Sequence, residues 1–373
     1  MKRLRADSTV IVLAILVLVI VIGAILVSVV GRNFFSPGNI RDILTGMSVL
    51  GLVAIGQTLV ILGASLDLSV VYVVSLSSLV AATTMAGNPG NIPWAVTLTL
   101  LVCAGIGLAN GLIVTVLRVN GFIATLGVGL ILQGVLNTNF QGSAGAVPWE
   151  FQLIGATGIG PVPISTIIML ALAVVVWFLL DRTRTGAHLF AVGGDPEVSR
   201  LSGLRTRTPL IAAHVMCSVF AGLAGLLLAS RLGVGSPTVG QQGGYALLSI
   251  AAVVLGGTLL MGGRGSIWGT IGGVAIFAVV DNVMSVMQVN PFLKDVVRGI
   301  VIVAAVAIYS RRAIVRRRTR FGPGGTRTGG DAAAAAAAPA MAAASVALIA
   351  DAQTSPGASP GDASATTDGG ESR

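Results

Sequence analysis

Residues 10–30 form an apolar run without one charged side chain, the first of ten largely apolar runs that fill most of the chain as far as residue 310. A bilayer's hydrocarbon core takes about 20 apolar residues per helix. Only a structure that satisfies its own backbone hydrogen bonds survives there. The other runs span residues 40–62, 69–85, 93–117, 121–138, 164–180, 209–232, 245–261, 268–287 and 296–310. The pattern predicts an all-α polytopic membrane protein of about ten transmembrane helices. A cleaved signal peptide is the competing reading of the first run, but the run is too long and no A-x-A site follows it.

Charge placement predicts the orientation. With both termini cytoplasmic, sixteen Lys and Arg lie inside: Lys2, Arg3, Arg5, Arg118, Arg182, Arg184, Arg200, Arg205, Arg207, Arg264 and six between Arg311 and Arg320. Five lie outside or near outer ends: Arg32, Arg41, Arg231, Lys294 and Arg298. That asymmetry satisfies the positive-inside bias. The net charge of +9 sits in a chain that is only 10% charged, with mean hydropathy +0.92, so it marks orientation and not a nucleic-acid footprint.

The sequence divides into a membrane domain, residues 1–320, and a tail, residues 321–373, of Gly, Ala, Pro, Ser and Thr. Such a composition buries too little to fold, so the tail is expected to be a disordered cytoplasmic segment.

Several chemistries are excluded. A P-loop needs G-x-x-x-x-G-K-[ST], yet the only lysines are Lys2 and Lys294, and neither follows a glycine loop. No catalytic residues and no metal site are expected: His188 and His214 stand apart, without H-E-x-x-H spacing. Cys103 and Cys217 are read as small packing residues. Asp42, Asp67, Asp281 and Asp295 fall near predicted span ends, which argues against proton coupling inside the membrane.

Three constellations remain. Gly63-Ala64-Ser65-Leu66-Asp67-Leu68-Ser69 breaks two apolar runs. Asp67 or Ser69 is expected to cap the third span, or the break borders a translocation path, where irregular backbone is tolerated. Polarity adds Gln57, Asn110, Gln133 and Asn137 to that path. The second lies in the longest loop between spans, residues 181–208. There Asp195 suits an N-cap, Pro196 the first helical position, Glu197 the positive dipole end and Gly203 the stop. The result is a two-turn helix with Val198 and Leu201 on one face and Arg200 nearby. So short a helix needs a surface to pack on, either lipid, the protein's own helices or a soluble partner. The third is the glycine-rich turn Gly262-Gly263-Arg264-Gly265, expected at the inner face. Glycines four apart, at Gly107/Gly111 and Gly269/Gly273, predict close helix contacts.

At these residues the chain resembles the ribose/xylose-type sugar ABC transporter permeases of bacteria, from about residue 40 to 310. The family's G-G-I-D-L-S-V-G corresponds to Ala64-Ser65-Leu66-Asp67-Leu68-Ser69-Val70-Val71, and its P-F-I-A-T-L-G to Gly121-Phe122-Ile123-Ala124-Thr125-Leu126-Gly127. Its A-V-G-G-N-P-E-A-A-R-L-S-G-I is matched from Ala191 to Leu204, and its I-A-A-V-V-I-G-G-T-S-L-x-G-G-R-G-S from Ile250 to Ser266. The departures include Ala64, Ser65, Val71 and Asp195, and the loss of acidic residues after Tyr245.

The resemblance implies the permease subunit of an importer in the bacterial cytoplasmic membrane. It would translocate a monosaccharide by alternating access. Two permease copies, identical or paralogous, would form the pore. Cytoplasmic ATP-binding subunits would supply ATP and Mg²⁺ chemistry, so this chain itself binds no cofactor. An extracytoplasmic sugar-binding protein would deliver the solute, and lipid would surround the bundle. The Asp195–Gly203 helix would seat in a groove of the ATPase. An ion-coupled secondary transporter of a small polar solute is the alternative.

Overall fold

The computed structural model describes residues 2–301 and 303, with side chains from Val10 onward. The expected tail and most of the tenth run lie outside the described residues. Long helices follow the hydropathy: α1 (Lys2–Val29), α2 (Pro37–Leu62), α3 (Val70–Met85), α4 (Ile92–Thr115) and α5 (Gly121–Asn139). A segment then carries α6 (Trp149–Ala156) and a two-stranded antiparallel hairpin, β1 (Gly158–Ile159) with β2 (Val162–Pro163). Next come α7 (Ile164–Arg182), α8 (Arg184–Gly194), α9 (Pro196–Leu201), α10 (Arg207–Leu232), α11 (Val239–Gln242), α12 (Tyr245–Leu255) and α13 (Ile267–Val286). Helical backbone resumes at residue 291.

Among the described residues seven helices are long and apolar enough to cross a membrane: α1, α2, α4, α5, α7, α10 and α13. Two expected spans are shorter. α12 has 11 residues and rises about 16 Å, against about 30 Å of hydrocarbon. The run to residue 261 is apolar throughout, but Gly257 turns left-handed at φ +88°. Its N–H bonds the Val254 carbonyl at 2.8 Å and the Thr258 N–H bonds Val253 at 3.2 Å. Glycine freedom, invisible to hydropathy, ends that helix. α3, with 16 residues, starts at the predicted break. Both short helices are largely buried, where protein can satisfy interrupted backbone.

Burial sorts the bundle into centre and rim. In α2, 83% of the most apolar window is buried, and in α1 only 17%. Apolar side chains on α1, α4, α5 and α7 face outward, as lipid permits, while Ser48, Thr58, Thr166 and Thr270 point inward. Ser48 meets Thr166 at 2.9 Å and Thr58 meets Thr270 at 2.9 Å.

The predicted glycine contacts are present. A Cβ on Gly107 would lie 2.6 Å from the His214 carbonyl oxygen, and one on Gly111 would lie 2.9 Å from Ile211 Cα. A Cβ on Gly273 would lie 3.0 Å from the Ala252 carbonyl carbon. Gly225 in α10 is similarly placed against α3, 2.7 Å from Ser77 Cβ. Gly225→Ala is therefore expected to destabilise the protein by about 1–3 kcal/mol through overpacking. Gly105→Ala, with nothing within 4 Å, should be neutral or slightly stabilising. Thermal unfolding in detergent distinguishes the two, and equal transitions would refute the packing argument.

Candidate functional site

Two features stand apart from the apolar scaffold: a buried polar cluster at the α2–α3 break, and the exposed helix α9. The break begins where α2 runs out. Ala64 is left-handed at φ +59°, its N–H bonding the Ile61 carbonyl at 2.9 Å and the Ser65 N–H bonding Val60 at 3.1 Å. This closes the helix after Gly63 with alanine in the left-handed position that glycine usually takes, at about 1–2 kcal/mol of steric strain.

The strained turn delivers Asp67 into the interior, fully buried. Oδ1 accepts the Ser69 N–H at 2.9 Å and the Ser69 hydroxyl at 2.6 Å. Oδ2 faces Asn110 Nδ2 at 3.4 Å and His214 Nδ1 at 3.5 Å. Asn110 also donates to Ser69 Oγ at 2.8 Å, and Ser65 Oγ lies 3.1 Å from His214 Nε2. The Gln57 amide, oriented to satisfy both its ends, donates to the Asp67 carbonyl at 3.2 Å and accepts its N–H at 3.3 Å. Thr125 accepts the Leu68 N–H at 3.0 Å. The carboxylate thereby ties the break to α4 and α10, while the backbone of Asp67 and Leu68 ties it to α2 and α5.

The capping expectation is corrected here. Ser69 precedes α3 in helical conformation and makes no side-chain cap, and Asp67 bonds Ser69 itself instead of amides within α3. Donors from α4 and α10 are better placed to surround a buried carboxylate, whose isolation would be costly. Gln57, Asp67, Ser69 and Asn110, read as polar path candidates, are brought together. Gln133 and Asn137 are not: Gln133 is half-buried and accepts the Tyr72 hydroxyl at 3.1 Å, while Asn137 is exposed. Sequence reasoning passed over Ser65, Thr125 and the pairing of His214 with Asp67. The available signal was a histidine inside an apolar run, which demands a polar partner somewhere. Arg298 likewise pairs with Asp281 at 2.9 Å and 3.0 Å.

Residues 181–208, expected as a loop around one short helix, contain two helices. α8 forms because Thr183 accepts the Gly186 N–H at 3.3 Å and Leu189 and Val192 are buried. Asp195 then caps α9, accepting the Glu197 and Val198 N–H groups at 3.0 Å each, with Pro196 in the first turn. Glu197 and Arg200 pair at 2.6 Å, and the hydrogen bond from Arg200, with its charge, holds the Glu197 carboxyl below its ordinary range. Gly203 stops the helix at φ +78°. Val198 and Leu201 remain 57% and 76% exposed.

In the glycine turn, Gly262 and Gly263 are left-handed at +80° and +69°. Arg264 is exposed beside Gly265, and its carbonyl accepts the Leu259 N–H at 3.0 Å. Among the described residues no three His, Cys, Asp or Glu side chains are grouped to hold a metal ion.

Comparison with known proteins places these features in a family. The family model described as the permease component of the branched-chain amino acid transport system matches residues 39–306. The ribose import permease protein of Escherichia coli K12 is 37% identical over 297 residues, covering 77% of this chain and 90% of that one. The D-allose transport system permease protein of the same organism is 32% identical, with 76% and 88% covered. The galactose/methyl galactoside import permease protein of Salmonella typhimurium LT2 is 34% identical, with 74% and 88% covered. No solved structure matches at a significant level. With most of its length matched, and with helices apolar enough to cross a bilayer repeatedly, the chain belongs to the monosaccharide ABC-importer permeases: it is a multi-pass transport subunit of the cytoplasmic membrane, not an enzyme.

Proposed function

We propose that this subunit carries a monosaccharide of the ribose/xylose kind inward by alternating access, powered through α9 by ATP-hydrolysing subunits. The observation that carries the reading is α9 itself: a short helix capped at both ends, presenting Val198 and Leu201 to the surroundings from a polar segment. A helix of six residues is unstable without a surface to rest on, and a groove in a soluble partner supplies one. The relatives' names, ribose, D-allose and galactose permeases, support a small sugar as cargo.

The α8–α9 end carries Arg182, Arg184, Arg205 and Arg207, so the positive-inside bias makes it cytoplasmic. A second permease copy completes the pore, and an extracytoplasmic binding protein delivers the sugar. ATP and Mg²⁺ are used by the ATPase partner. The path follows the α5 face carrying Gln133 and Asn137, with Gln57, Asp67, Ser69 and Asn110 at its buried border. Arg264, between Gly263 and Gly265, faces the ATPase side.

Reconstitution in vesicles tests the proposal. Uptake of radiolabelled sugar is expected only with the ATPase, the binding protein and ATP together. Accumulation by the purified chain alone under a proton or sodium gradient would overturn it.

A further inference from the structure

We propose that a junction of bare backbone, built on Gly193, Gly262 and Gly263, passes the movement of α9 to the two short interior helices, α3 and α12. The inference rests on α9 being the helix that meets the ATPase.

Three segments far apart in sequence meet here main chain to main chain: the end of α2, the end of α8 and the turn between α12 and α13. The Leu62 carbonyl accepts the Gly263 N–H at 3.0 Å. A Cβ on Gly193 would collide with that same carbonyl oxygen and lie 2.9 Å from Gly263 N. A Cβ on Gly262 would lie 2.6 Å from the Gly193 oxygen and 2.8 Å from Ala64 N. The only side-chain atom among these contacts is Ala64 Cβ, 2.8 Å from the same point on Gly262.

The position of each segment matters. Gly193 stands two residues before Asp195, the cap of α9, and Asp195 N–H is still bonded to the Ala191 carbonyl at 3.1 Å. Leu62 precedes the break, residues 63–69, that holds Asp67 and leads into α3. Gly262 and Gly263 follow the cap that ends α12. A displacement of α9 therefore presses at once on the two places where the interior helices are interrupted.

Contacts between side chains absorb small shifts by changing rotamer, whereas backbone in van der Waals contact has no such freedom. Packed elements of this kind switch between discrete arrangements instead of yielding continuously. Gly193, Gly262 and Gly263 thus have a reason beyond turn geometry: Gly193 lies in ordinary helix, outside the left-handed glycines, and is needed for contact alone.

The test is Gly193→Ala in the full complex, reconstituted with its ATPase and binding protein. The expected result is a complex that still assembles and hydrolyses ATP, with sugar moved per ATP reduced about tenfold, within the usual span of coupling factors. Gly194→Ala, whose Cβ would have only Gly263 Cα at 4.0 Å, should remain coupled. Unchanged transport per ATP in Gly193→Ala would overturn the inference. So would a parallel fall in hydrolysis and uptake, since that reports lost docking.

If Gly193→Ala does not accumulate, hydrogen exchange on the wild-type complex decides. A nonhydrolysable ATP analogue is expected to shift exchange at residues 62–67 and 259–266 together with residues 195–203, and a shift confined to 195–203 would refute the junction. Failure of the wild-type complex to require ATP would instead defeat the proposed function, a separate outcome.

Discussion

Leu201→Asp is expected to abolish sugar uptake while leaving the protein at normal abundance in the membrane. Leu201 is 76% exposed at the end of α9, so it supports no internal packing and its replacement leaves the fold intact. Placed in a partner's groove, however, it is an apolar anchor of the kind whose truncation costs about 2 kcal/mol or more. A carboxylate in its place adds the desolvation of an unpaired charge. Since each 1.4 kcal/mol is about tenfold in affinity, the ATPase should no longer copurify. Glu197→Arg acts on the same helix differently: it breaks the 2.6 Å pair with Arg200, puts like charges three residues apart and opposes the dipole at the first turn. Both variants are read by pull-down of the ATPase, by uptake and by immunoblot of membranes. Wild-type uptake in Leu201→Asp would remove the role given to α9.

Asp67→Ala should have the opposite signature, a protein that hardly accumulates. The substitution deprives the Ser69 N–H and the Ser69 hydroxyl of their acceptor, leaves Asn110 only its bond to Ser69 Oγ, and leaves His214 facing a void. Each buried donor left without a partner costs about 1–3 kcal/mol, so the two Ser69 donors together remove a large share of an ordinary folding stability of about 5–15 kcal/mol. Asp67→Asn keeps an acceptor oxygen and the shape, and is expected to accumulate with a lowered thermal transition. Adding His214→Ala to Asp67→Ala should destabilise less than the two separate effects combined, because contacting residues are not additive. Normal membrane levels of Asp67→Ala would show that the cluster does not hold the break together.

The two sites were unequally legible before the structure. α9 is written locally: an N-cap acid, a proline, a glycine three residues past Arg200, and two apolar side chains three apart all act within one short segment. So are the long helices, because burial in lipid is a matter of length and polarity. The glycine pairs at Gly107/Gly111 and Gly269/Gly273 announced close contacts, though not with which neighbours. The length of α12 was not legible, since its end is decided by Gly257 adopting a left-handed turn inside a run that stays apolar.

By itself the amino-acid order determined that this chain lives in a membrane, where its long apolar helices begin, and that a short capped helix stands in the polar segment between two of them, because those properties depend on residues a few places apart. Only tertiary packing decided that Asp67 meets Asn110, 43 residues on, and that Ser65 meets His214, 149 residues on. Packing alone also set Gly193 against Leu62 and Gly263. Those encounters depend on which helices become neighbours and at what rotation. Hydropathy does not encode that choice, because in lipid every apolar face is equally content until small residues and buried polar groups select their partners.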